Sequence, residues 1–290
     1  MIDTIDYNIL VIYHRDCPDG STAAAVVLKR FPHARVYPLA HHYTPEELGQ
    51  IMSLATPDTR LYTVDCVLGV REFLDAGYAV TTIDHHIGAQ RELSDLADID
   101  KNLTYIFDND KSGASLTWSY LFPEAPIPEI VKFVEDADLW RWRYGDDTKH
   151  IKNYLFPLLN KPHEILPLLD ELPIRAKEEG MAISRFADAL IEQALLRVAP
   201  ITVRIGEFAL PAFNIVDFRS EIGNLLSEKN DCAVVLFNIS GDQVHLSFRS
   251  KDGHEPSALD LSQIVGGKGH RNASGATVSL SDFIKMITME

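Results

Sequence analysis

The first part of the chain alternates short apolar runs, rich in β-branched residues, with helical stretches, and this alternation limits the possible folds more than any other feature. The apolar runs predict strands at residues 8–13, 34–39, 61–64, 78–83 and 104–107. Helices are predicted between them, at residues 21–30, after Thr44 and at residues 70–76. Strands that alternate with helices indicate an α/β fold, with a mainly parallel sheet and helices on both faces.

The signals change twice further along the chain. From residue 127 to residue 197 they are almost all helical, and the last predicted helix spans about residues 175–198. After Pro200, short strands and helices alternate again and predict a separate, smaller α/β domain. We therefore expect one domain over residues 1–175, a connecting helix over residues 176–199 and a second domain over residues 200–290, a division that suits a chain of 290 residues.

Aspartates and histidines collect after the predicted strands of the first domain. The carboxyl ends of the strands form the ligand-binding edge of an open parallel sheet. Carboxylates bind divalent cations, and added imidazoles favour Mn, Fe, Co or Zn over Mg or Ca. A single aspartate after a strand more often starts a turn, and Asp19 alone could cap the helix that follows it. Four segments that converge on one edge favour a metal site, for which the candidates are His14, Asp16, Asp19, Asp65, His85, and Asp136 or Asp138.

The net charge of the chain limits the partners of this site. The sequence has 27 Lys and Arg against 42 Asp and Glu, which is a formal net charge of −15. A negative protein is not suited to coat nucleic acid, and no long run of Lys and Arg is present. We expect no long nucleic acid and no membrane among the partners, and a homodimer remains open.

The cysteines and the first residues indicate the cellular compartment. Cys17, Cys66 and Cys232 are far apart and odd in number, which predicts no disulfide framework and a reducing, cytoplasmic location. The first residues are acidic and lack the apolar core of a secretion signal. Neither Cys17 nor Cys66 is predicted to be a metal ligand, because each follows a candidate ligand and neighbouring residues of a strand point to opposite sides. A loop or surface role is expected for His41 and His42, with a place for one of them in the cleft as the alternative.

Two segments, in this order, resemble the signatures of a known superfamily. Asp84-His85-His86 follows an apolar strand, with the candidate ligands His14, Asp16, Asp19 and Asp65 upstream. Residues 266–275 read GGKGHRNASG, a glycine-rich stretch followed by His, two further residues and Ala-Ser-Gly. Together they resemble the DHH phosphoesterase superfamily in its DHHA1 branch, over residues 8–277. The form of the first motif is similar to the branch associated with exopolyphosphatases and short-oligoribonucleotide nucleases.

The resemblance implies a DHH metal-binding catalytic domain, a connecting helix and a DHHA1 substrate-binding domain. It also implies two metal ions, normally Mn²⁺, with Co²⁺ or Mg²⁺ as substitutes. In this family pattern His14 and Asp16 bind one ion, Asp19 binds the other, and Asp65 bridges them. The usual spacing of this motif is His, three residues, Asp, one residue, Asp. Here one residue separates His14 from Asp16, and two separate Asp16 from Asp19.

The same resemblance implies roles for the residues after the fourth strand. His85 completes the ligand set together with a later aspartate, for which the sequence offers both Asp136 and Asp138. Asp84 orients a neighbouring histidine. His86 contacts the phosphate of the substrate.

The second domain offers residues that suit phosphate binding. Glycines allow backbone N–H groups to approach a phosphate closely, and cationic side chains add charge-assisted hydrogen bonds. Arg249 lies at alternate positions with His245 and Ser247 and shares a strand face with them. Such alternation of polar and apolar residues is also typical of an ordinary amphipathic strand. The candidates for substrate binding are Arg249, Gly266, Gly267, Lys268, Gly269 and His270. In the first domain, Trp140, Trp142 and Tyr144 either stack on a base or pack inside the protein.

The leading hypothesis is a phosphodiesterase that cleaves small nucleotides with a hydroxide generated by two Mn²⁺ ions. Very short oligoribonucleotides, linear dinucleotides and cyclic mononucleotides all suit this site. Hydrolysis of inorganic polyphosphate or pyrophosphate is a second hypothesis, since it needs the same metals. A non-catalytic, nucleotide-binding regulatory protein is a third.

Overall fold

The structure is a computed structural model that describes residues 8–40 and 43–287. The acidic first residues and His41 and His42 lie outside the described residues. The chain divides into two compact units, Met1–Arg185 and Phe186–Glu290, and the division falls within one long helix, Ile174–Arg197. Within the described ranges, no helix is long and apolar enough to cross a membrane.

The first unit is built around a parallel sheet, for which the described residues supply five strands. These strands are β1 (Ile9–His14), β2 (Arg35–Leu39), β3 (Arg60–Val64), β4 (Ala79–Asp84) and β5 (Leu103–Phe107). The helices are α1 (Pro18–Arg30), α2 (Pro45–Met52), α3 (Val70–Asp75), α4 (Ile87–Ile99), α5 (Gly113–Leu121), α6 (Glu129–Asp138), α7 (Asp146–Leu155), α8 (Pro162–Ile165) and α9 (Ile174–Arg197), with 3₁₀ turns at Phe156–Leu158 and Leu166–Leu169.

The strand order in this sheet is β2-β1-β3-β4-β5, and every pair is parallel. The chain leaves β1 towards β2 on one side and then returns to place β3 on the other side. The carboxyl ends of β1 and β3 therefore form the topological switch point, where open α/β sheets bind their ligands. His14 is the last residue of β1, and Asp65 directly follows β3.

Both faces of this sheet are buried, as predicted. Val11 and Tyr13 of β1 belong to a core that includes residues of α1, α5 and α6. Leu10 and Ile12 point to the opposite face and pack in a second core with residues of α2, α3 and α4. All four side chains are at most 1% exposed, so the strand contributes equally to the two cores.

The second unit contains a mixed sheet. Its strands are β6 (Ile201–Ile205), β7 (Phe208–Asn214), β8 (Val234–Ser240), β9 (Gln243–Arg249), β10 (Lys268–His270) and β11 (Ala273–Ser279), and its further helices are α10 (Arg219–Asn230), α11 (Ala258–Ile264) and α12 (Leu280–Met286). The strand order is β10-β11-β9-β8-β7-β6, in which β7 and β8 pair in parallel and the other named pairs are antiparallel.

The predicted fold class is confirmed for both sheets. The helix predicted after Thr44 is α2, and it begins with a capping box, because Thr44 Oγ1 accepts a hydrogen bond from the Glu47 N–H and Glu47 Oε2 accepts one from the Thr44 N–H. Three elements were not predicted. The helix α4 has Ala89, Leu93 and Leu96 on its inner side at helical spacing, a signal present in the sequence. The strands β10 and β11 include the glycine-rich stretch, whose composition disfavours strands until β9 provides a partner.

Candidate metal centre

The candidate ligands meet at the carboxyl ends of three neighbouring strands, β1, β3 and β4. His14 ends β1, Asp65 follows β3, and His85 follows Asp84, the last residue of β4. Asp65 has a left-handed backbone with φ 58°. Aspartate is among the few side chains that adopt this conformation readily. The turn it makes leaves its carboxylate between the histidines of the two adjacent strands.

The distances around Asp65 and His85 define a compact cluster. His85 Nε2 lies 3.2 Å from Asp65 Oδ1, 3.5 Å from Asp138 Oδ2 and 4.0 Å from Asp19 Oδ2. His14 Nδ1 lies 3.6 Å from Asp65 Oδ2. Each oxygen of Asp65 thus faces a different histidine. The side chains of Asp19 and Asp65 are buried at the base of the cluster, and His14 and Asp138 are partly open to solvent.

Three groups of ligand atoms in the described residues are close enough to hold a cation. Within each group, the atoms lie within 4.8 Å of one another. The groups are His14 with Cys17 and Asp65, Asp19 with His85 and Asp138, and Asp65 with Asp84, His85 and His86. Asp65 and His85 each belong to two groups, so the groups form one continuous centre.

Asp19 is held in this centre by the start of another helix. Its carboxylate accepts hydrogen bonds from the N–H groups of Gly113, at 2.6 Å, and Ala114, at 2.9 Å. Asp19 therefore lies at the N-terminus of α5, and its contacts go beyond the alternative that it only caps the helix that follows it. Burial, together with the charges of Asp65 and Asp138, raises the pKa of Asp19 well above its usual value.

Asp65 and His85 shift each other's pKa in opposite directions. Burial alone would raise the pKa of Asp65, but its contacts with His14 and His85 hold that pKa well below its usual value. Burial alone would lower the pKa of His85, but Asp65 and the further charge of Asp138 raise it to about 10. Asp65 therefore favours the protonated form of His85, and His85 favours the charged form of Asp65.

The centre fits a divalent cation. Both oxygens of Asp65 are buried, and they accept no hydrogen bond of normal geometry from the described residues. Buried polar atoms of this kind are rare, because the lost hydration is costly unless a partner replaces it. Asp19 and Asp138 add two further carboxylates around the same imidazole. Carboxylate oxygens and imidazole nitrogens in this number suit a metal of the Mn, Fe, Co or Zn type.

The structure distinguishes the two aspartates of α6. Asp138 lies in the centre, beside His85. Asp136 is directed elsewhere, since its carboxylate accepts hydrogen bonds from the N–H groups of Arg143 and Tyr144 and from Thr148 Oγ1, at 2.9, 3.3 and 2.5 Å. Burial would raise the pKa of Asp136, but these hydrogen bonds lower it. The geometry favours Asp138 as the ligand, and it assigns Asp136 to the stability of the turn before α7.

Asp16 and Cys17 are placed differently from expectation. Asp16 is exposed, and its carboxylate accepts a hydrogen bond of 2.6 Å from Asn160 Nδ2. It is not in any of the three groups found among the described residues. The prediction that Cys17 points away from the ligands is wrong, because its Sγ lies with His14 and Asp65. Asp16 has a left-handed backbone with φ 59°, so the segment turns instead of continuing β1.

The third group includes a contact between Asp84 and His86. His86 Nδ1 lies 2.7 Å from Asp84 Oδ1, and Asp84 is buried. Burial would lower the pKa of His86, but Asp84 raises it. His86 is partly exposed at the rim of the centre, with its ring centroid 4.3 Å from that of His85. Asp84 therefore fixes the orientation of a histidine that can meet a substrate from solvent.

Gly113 lies in the segment Ser112-Gly113-Ala114, which the sequence predicts as a helix start, and the structure shows that it is also a component of the centre. A Cβ atom at this position would lie 2.7 Å from Asp65 Cβ, 2.9 Å from Asp65 Cα and 3.0 Å from Asp19 Oδ2. These separations are too short for non-bonded atoms. Only glycine lets α5 begin so close to the two carboxylates.

In the second unit, strand register places the cationic candidates on one face of the sheet. In β11, Ala273 pairs with Arg249 of β9 on one side and with His270 of β10 on the other. Gly275, two residues further along β11, pairs with Lys268 of β10, which therefore lies on the same face. Arg249 is held by Ser220 of α10, whose Oγ accepts from its guanidinium at 3.1 Å. Burial, with the charge of Arg219, lowers the pKa of Arg249 to about 10.

The glycines of this stretch have a structural reason of their own. A Cβ atom at Gly267 would lie 2.4 Å from the carbonyl oxygen of Gly275, and one at Gly269 would lie 2.5 Å from Ser274 Cα. The close approach of β10 to β11 therefore requires both. At Gly266 the space is open and the backbone has φ 78°, so this glycine serves the turn before β10.

The tryptophans after Asp138 form a pair in which Trp140 is exposed and Trp142 is partly buried. Trp140 is 40% exposed, and its ring centroid lies 4.9 Å from that of Trp142 in an edge-to-face arrangement. Both residues have a left-handed backbone with φ 54°, which is unusual for bulky side chains. Lys152 Nζ lies 5.5 Å from the Trp140 ring and 5.9 Å from the Trp142 ring. Tyr144 packs instead against Phe133, with ring centroids 5.3 Å apart.

Comparison with known proteins supports this fold. No family model matches the chain. It is 23% identical over 296 residues to uncharacterized protein R106 of Acanthamoeba polyphaga mimivirus, a match that covers 93% of this chain and 67% of that protein. Its structure is similar to RecJ from Thermus thermophilus in complex with Mn²⁺, with a TM-score of 0.56 and 14% identity over 97% of this chain and 51% of RecJ. It is also similar to an exonuclease RecJ bound to manganese, with a TM-score of 0.51 and 16% identity over 97% and 88% of the two chains.

The two RecJ structures show the fold of this chain. It is the DHH-like α/β fold that the sequence resemblance implies, with a second mixed sheet. The chain spans about half the length of the Thermus RecJ. The manganese ions belong to those proteins, whereas here the cluster around Asp65 and His85 provides the residues that can hold a metal.

Replacing Gly113 by alanine should disturb the centre without unfolding the protein. The new Cβ would displace the carboxylates of Asp65 and Asp19, so we expect Mn²⁺ affinity to fall by about tenfold or more. Gly88→Ala is the matched control, because a Cβ at Gly88, in the first turn of α4, meets no atom within 4 Å. Isothermal titration with Mn²⁺ measures both variants. Equal affinity in Gly113→Ala and the original protein would contradict the assigned role of Gly113.

The two aspartates of α6 should respond oppositely to the same substitution. Asp138→Asn should weaken Mn²⁺ binding by about tenfold or more and leave the melting temperature of the metal-free protein nearly unchanged. Asp136→Asn should leave binding nearly unchanged and lower the melting temperature by a few degrees, about 1–3 kcal/mol, because an amide replaces a carboxylate that three donors share. Titration calorimetry and thermal unfolding test the pair, and a reversed pattern would show that Asp136 is the ligand.

Proposed function

We propose that this protein is a metal-dependent phosphodiesterase that hydrolyses small nucleotides. The observation that carries the proposal is the position of Asp65 at the switch point of the sheet, between His14 and His85. Both of its carboxylate oxygens are buried, and neither accepts a hydrogen bond of normal geometry from the described residues. The DHH-like fold of the chain and the DHH resemblance of its sequence support the same class of reaction.

We propose two Mn²⁺ ions as cofactors, with Co²⁺ or Mg²⁺ as substitutes. Asp65 and His85 belong to two ligand groups each, which supports two neighbouring ions sharing ligands. When bound, such ions polarise phosphoryl oxygens and lower the pKa of a water molecule. Asp84 would hold His86 towards the phosphate of the substrate, and Asp138 would face the second ion beside Asp19.

We propose nucleotides, and not inorganic polyphosphate, as the substrates because of the tryptophans. Trp140 lies two residues after Asp138 and offers an exposed aromatic surface that hydrolysis of inorganic phosphates does not need. Its left-handed backbone also supports a functional role, since strained residues cluster at binding sites. The net charge of −15 favours short substrates over long polyanions.

We propose that the second unit contributes phosphate binding through Arg249, Lys268 and His270. Register places the three on one face of its sheet. The partly buried guanidinium of Arg249 is positioned by Ser220, which supports its availability in a fixed orientation. The glycines at 266, 267 and 269 would add backbone N–H groups to this surface.

A substrate panel tests the proposed function. The purified protein with Mn²⁺ is assayed on a linear dinucleotide, on 2′,3′- and 3′,5′-cyclic mononucleotides, on pyrophosphate and on polyphosphate. Release of nucleoside monophosphate, with polyphosphate left intact, is expected. Cleavage of polyphosphate alone would establish the inorganic phosphohydrolase instead. If no substrate is turned over in Mn²⁺, Co²⁺ or Mg²⁺, a non-catalytic nucleotide-binding protein becomes the explanation. Asp65→Asn serves as the inactive control.

Two variants should separate recognition of the base from recognition of the phosphate. Trp140→Ala should raise the KM of a dinucleotide by about tenfold, because stacking contributes about 1–3 kcal/mol per base, and it should not change the KM of an abasic analogue of that dinucleotide. Arg249→Ala should raise both KM values, since the abasic substrate keeps its phosphate. Trp140→Phe should restore most of the affinity. An unchanged dinucleotide KM in Trp140→Ala would remove the base-stacking role.

A further inference from the structure

Cys17 occupies the place in the metal centre that the family pattern gives to Asp16. It precedes α1 as the N-cap residue, in an extended conformation with φ −113° and ψ 128°. Its side chain makes no capping hydrogen bond to that helix. Its Sγ lies instead with one ligand atom of His14 and one of Asp65, all within 4.8 Å of one another.

The local backbone explains this exchange. The Arg15 N–H donates to the Leu39 carbonyl at 3.0 Å, which extends the contact of β1 with β2 by one residue. The left-handed turn at Asp16 then reverses the direction of the side chains. The carboxylate of Asp16 is directed outward to Asn160, and the thiol of Cys17 is directed to the ligands.

We propose that Cys17 is a metal ligand, which together with His14 and Asp65 supplies sulfur, nitrogen and oxygen to one of the two ions. The adjoining carboxylate of Asp65 is 1% exposed, and its oxygens face the nitrogens of His14 and His85, at 3.6 and 3.2 Å, without a hydrogen bond of normal geometry. This buried carboxylate independently indicates a cation at this point. The inference rests on the metal centre of the proposed function and specifies it further. On binding, the S–H bond breaks, a metal–sulfur bond forms and the proton passes to solvent.

A thiolate ligand changes the metal preference of this position. Thiolate and imidazole favour Zn²⁺, Fe²⁺ and Co²⁺, whereas Mg²⁺ prefers oxygen ligands. The group of Asp19, His85 and Asp138 has two carboxylates and no sulfur. The two positions therefore differ in chemistry, and we expect the Cys17 position to bind Co²⁺ and Zn²⁺ more tightly than Mg²⁺.

Absorption of the Co²⁺-loaded protein tests the inference directly. A thiolate bound to Co²⁺ gives an intense charge-transfer band in the near ultraviolet, which oxygen and nitrogen ligands do not give. Metal-free protein is titrated with Co²⁺ while equilibrium dialysis counts the bound ions. We expect the band in the original protein and in Cys66→Ser and Cys232→Ser, and its loss in Cys17→Ser. Cys232 lies in the second unit, and the Cys66 thiol faces the Ile12 carbonyl at 3.9 Å, so both are matched controls.

A selectivity measurement provides a second readout. Cys17→Ser should weaken Zn²⁺ binding by about tenfold or more, and Cys17→Asp should shift the preference from Zn²⁺ towards Mn²⁺ and Mg²⁺. These outcomes do not depend on turnover. Loss of hydrolysis on every substrate with an intact thiolate band would refute the proposed function and keep Cys17 as a ligand. Three outcomes would overturn the inference. The band could persist in Cys17→Ser, the Co²⁺-loaded original protein could lack the band, or the original protein could fail to bind Co²⁺.

Discussion

The hydrogen bonds between the Asp19 carboxylate and the N-terminus of α5 organise the metal centre. They join Asp19 of α1 to Gly113, the first residue of α5, which lies 94 residues further along the chain. The positive end of the α5 dipole stabilises negative charge on Asp19, and the absence of a Cβ at Gly113 allows this approach beside Asp65. These N–H groups offset part of the negative charge that Asp19 adds to the cluster, while burial and the charges of Asp65 and Asp138 still hold its pKa above the usual value.

The sequence allowed the edge of the sheet to be predicted, but not the order of the ligands within it. The strands of the first unit are buried on both faces, so their apolar runs were visible, and the polar residues after them had to lie at one edge. The choice between Asp136 and Asp138 depends on which carboxylate meets Thr148 and the turn before α7. That contact is tertiary, and both residues lie on the same helix two positions apart.

Three further features depended on backbone conformation. The exchange of Asp16 for Cys17 follows from a left-handed φ at Asp16, which no residue pattern specified. The importance of Gly113 arises from the proximity of Asp65, distant in sequence. The strands β10 and β11 contain glycines that disfavour isolated strands, and pairing with β9 determines their structure. The periodicity of apolar residues thus indicated the layers of the fold. The positions of the site residues depend instead on turns and on close approaches between backbone segments.

The left-handed backbone of Asp65 has a consequence for the evolution of such chains. Besides glycine, asparagine and aspartate are the residues that tolerate this conformation best. A single base change converts an aspartate codon into an asparagine codon. One mutation at this position can thus remove the charge that two of the three ligand groups share, while the turn and the sheet edge keep their shape. A chain that keeps this fold but lacks the Asp65 carboxylate is therefore one nucleotide substitution away from the present sequence.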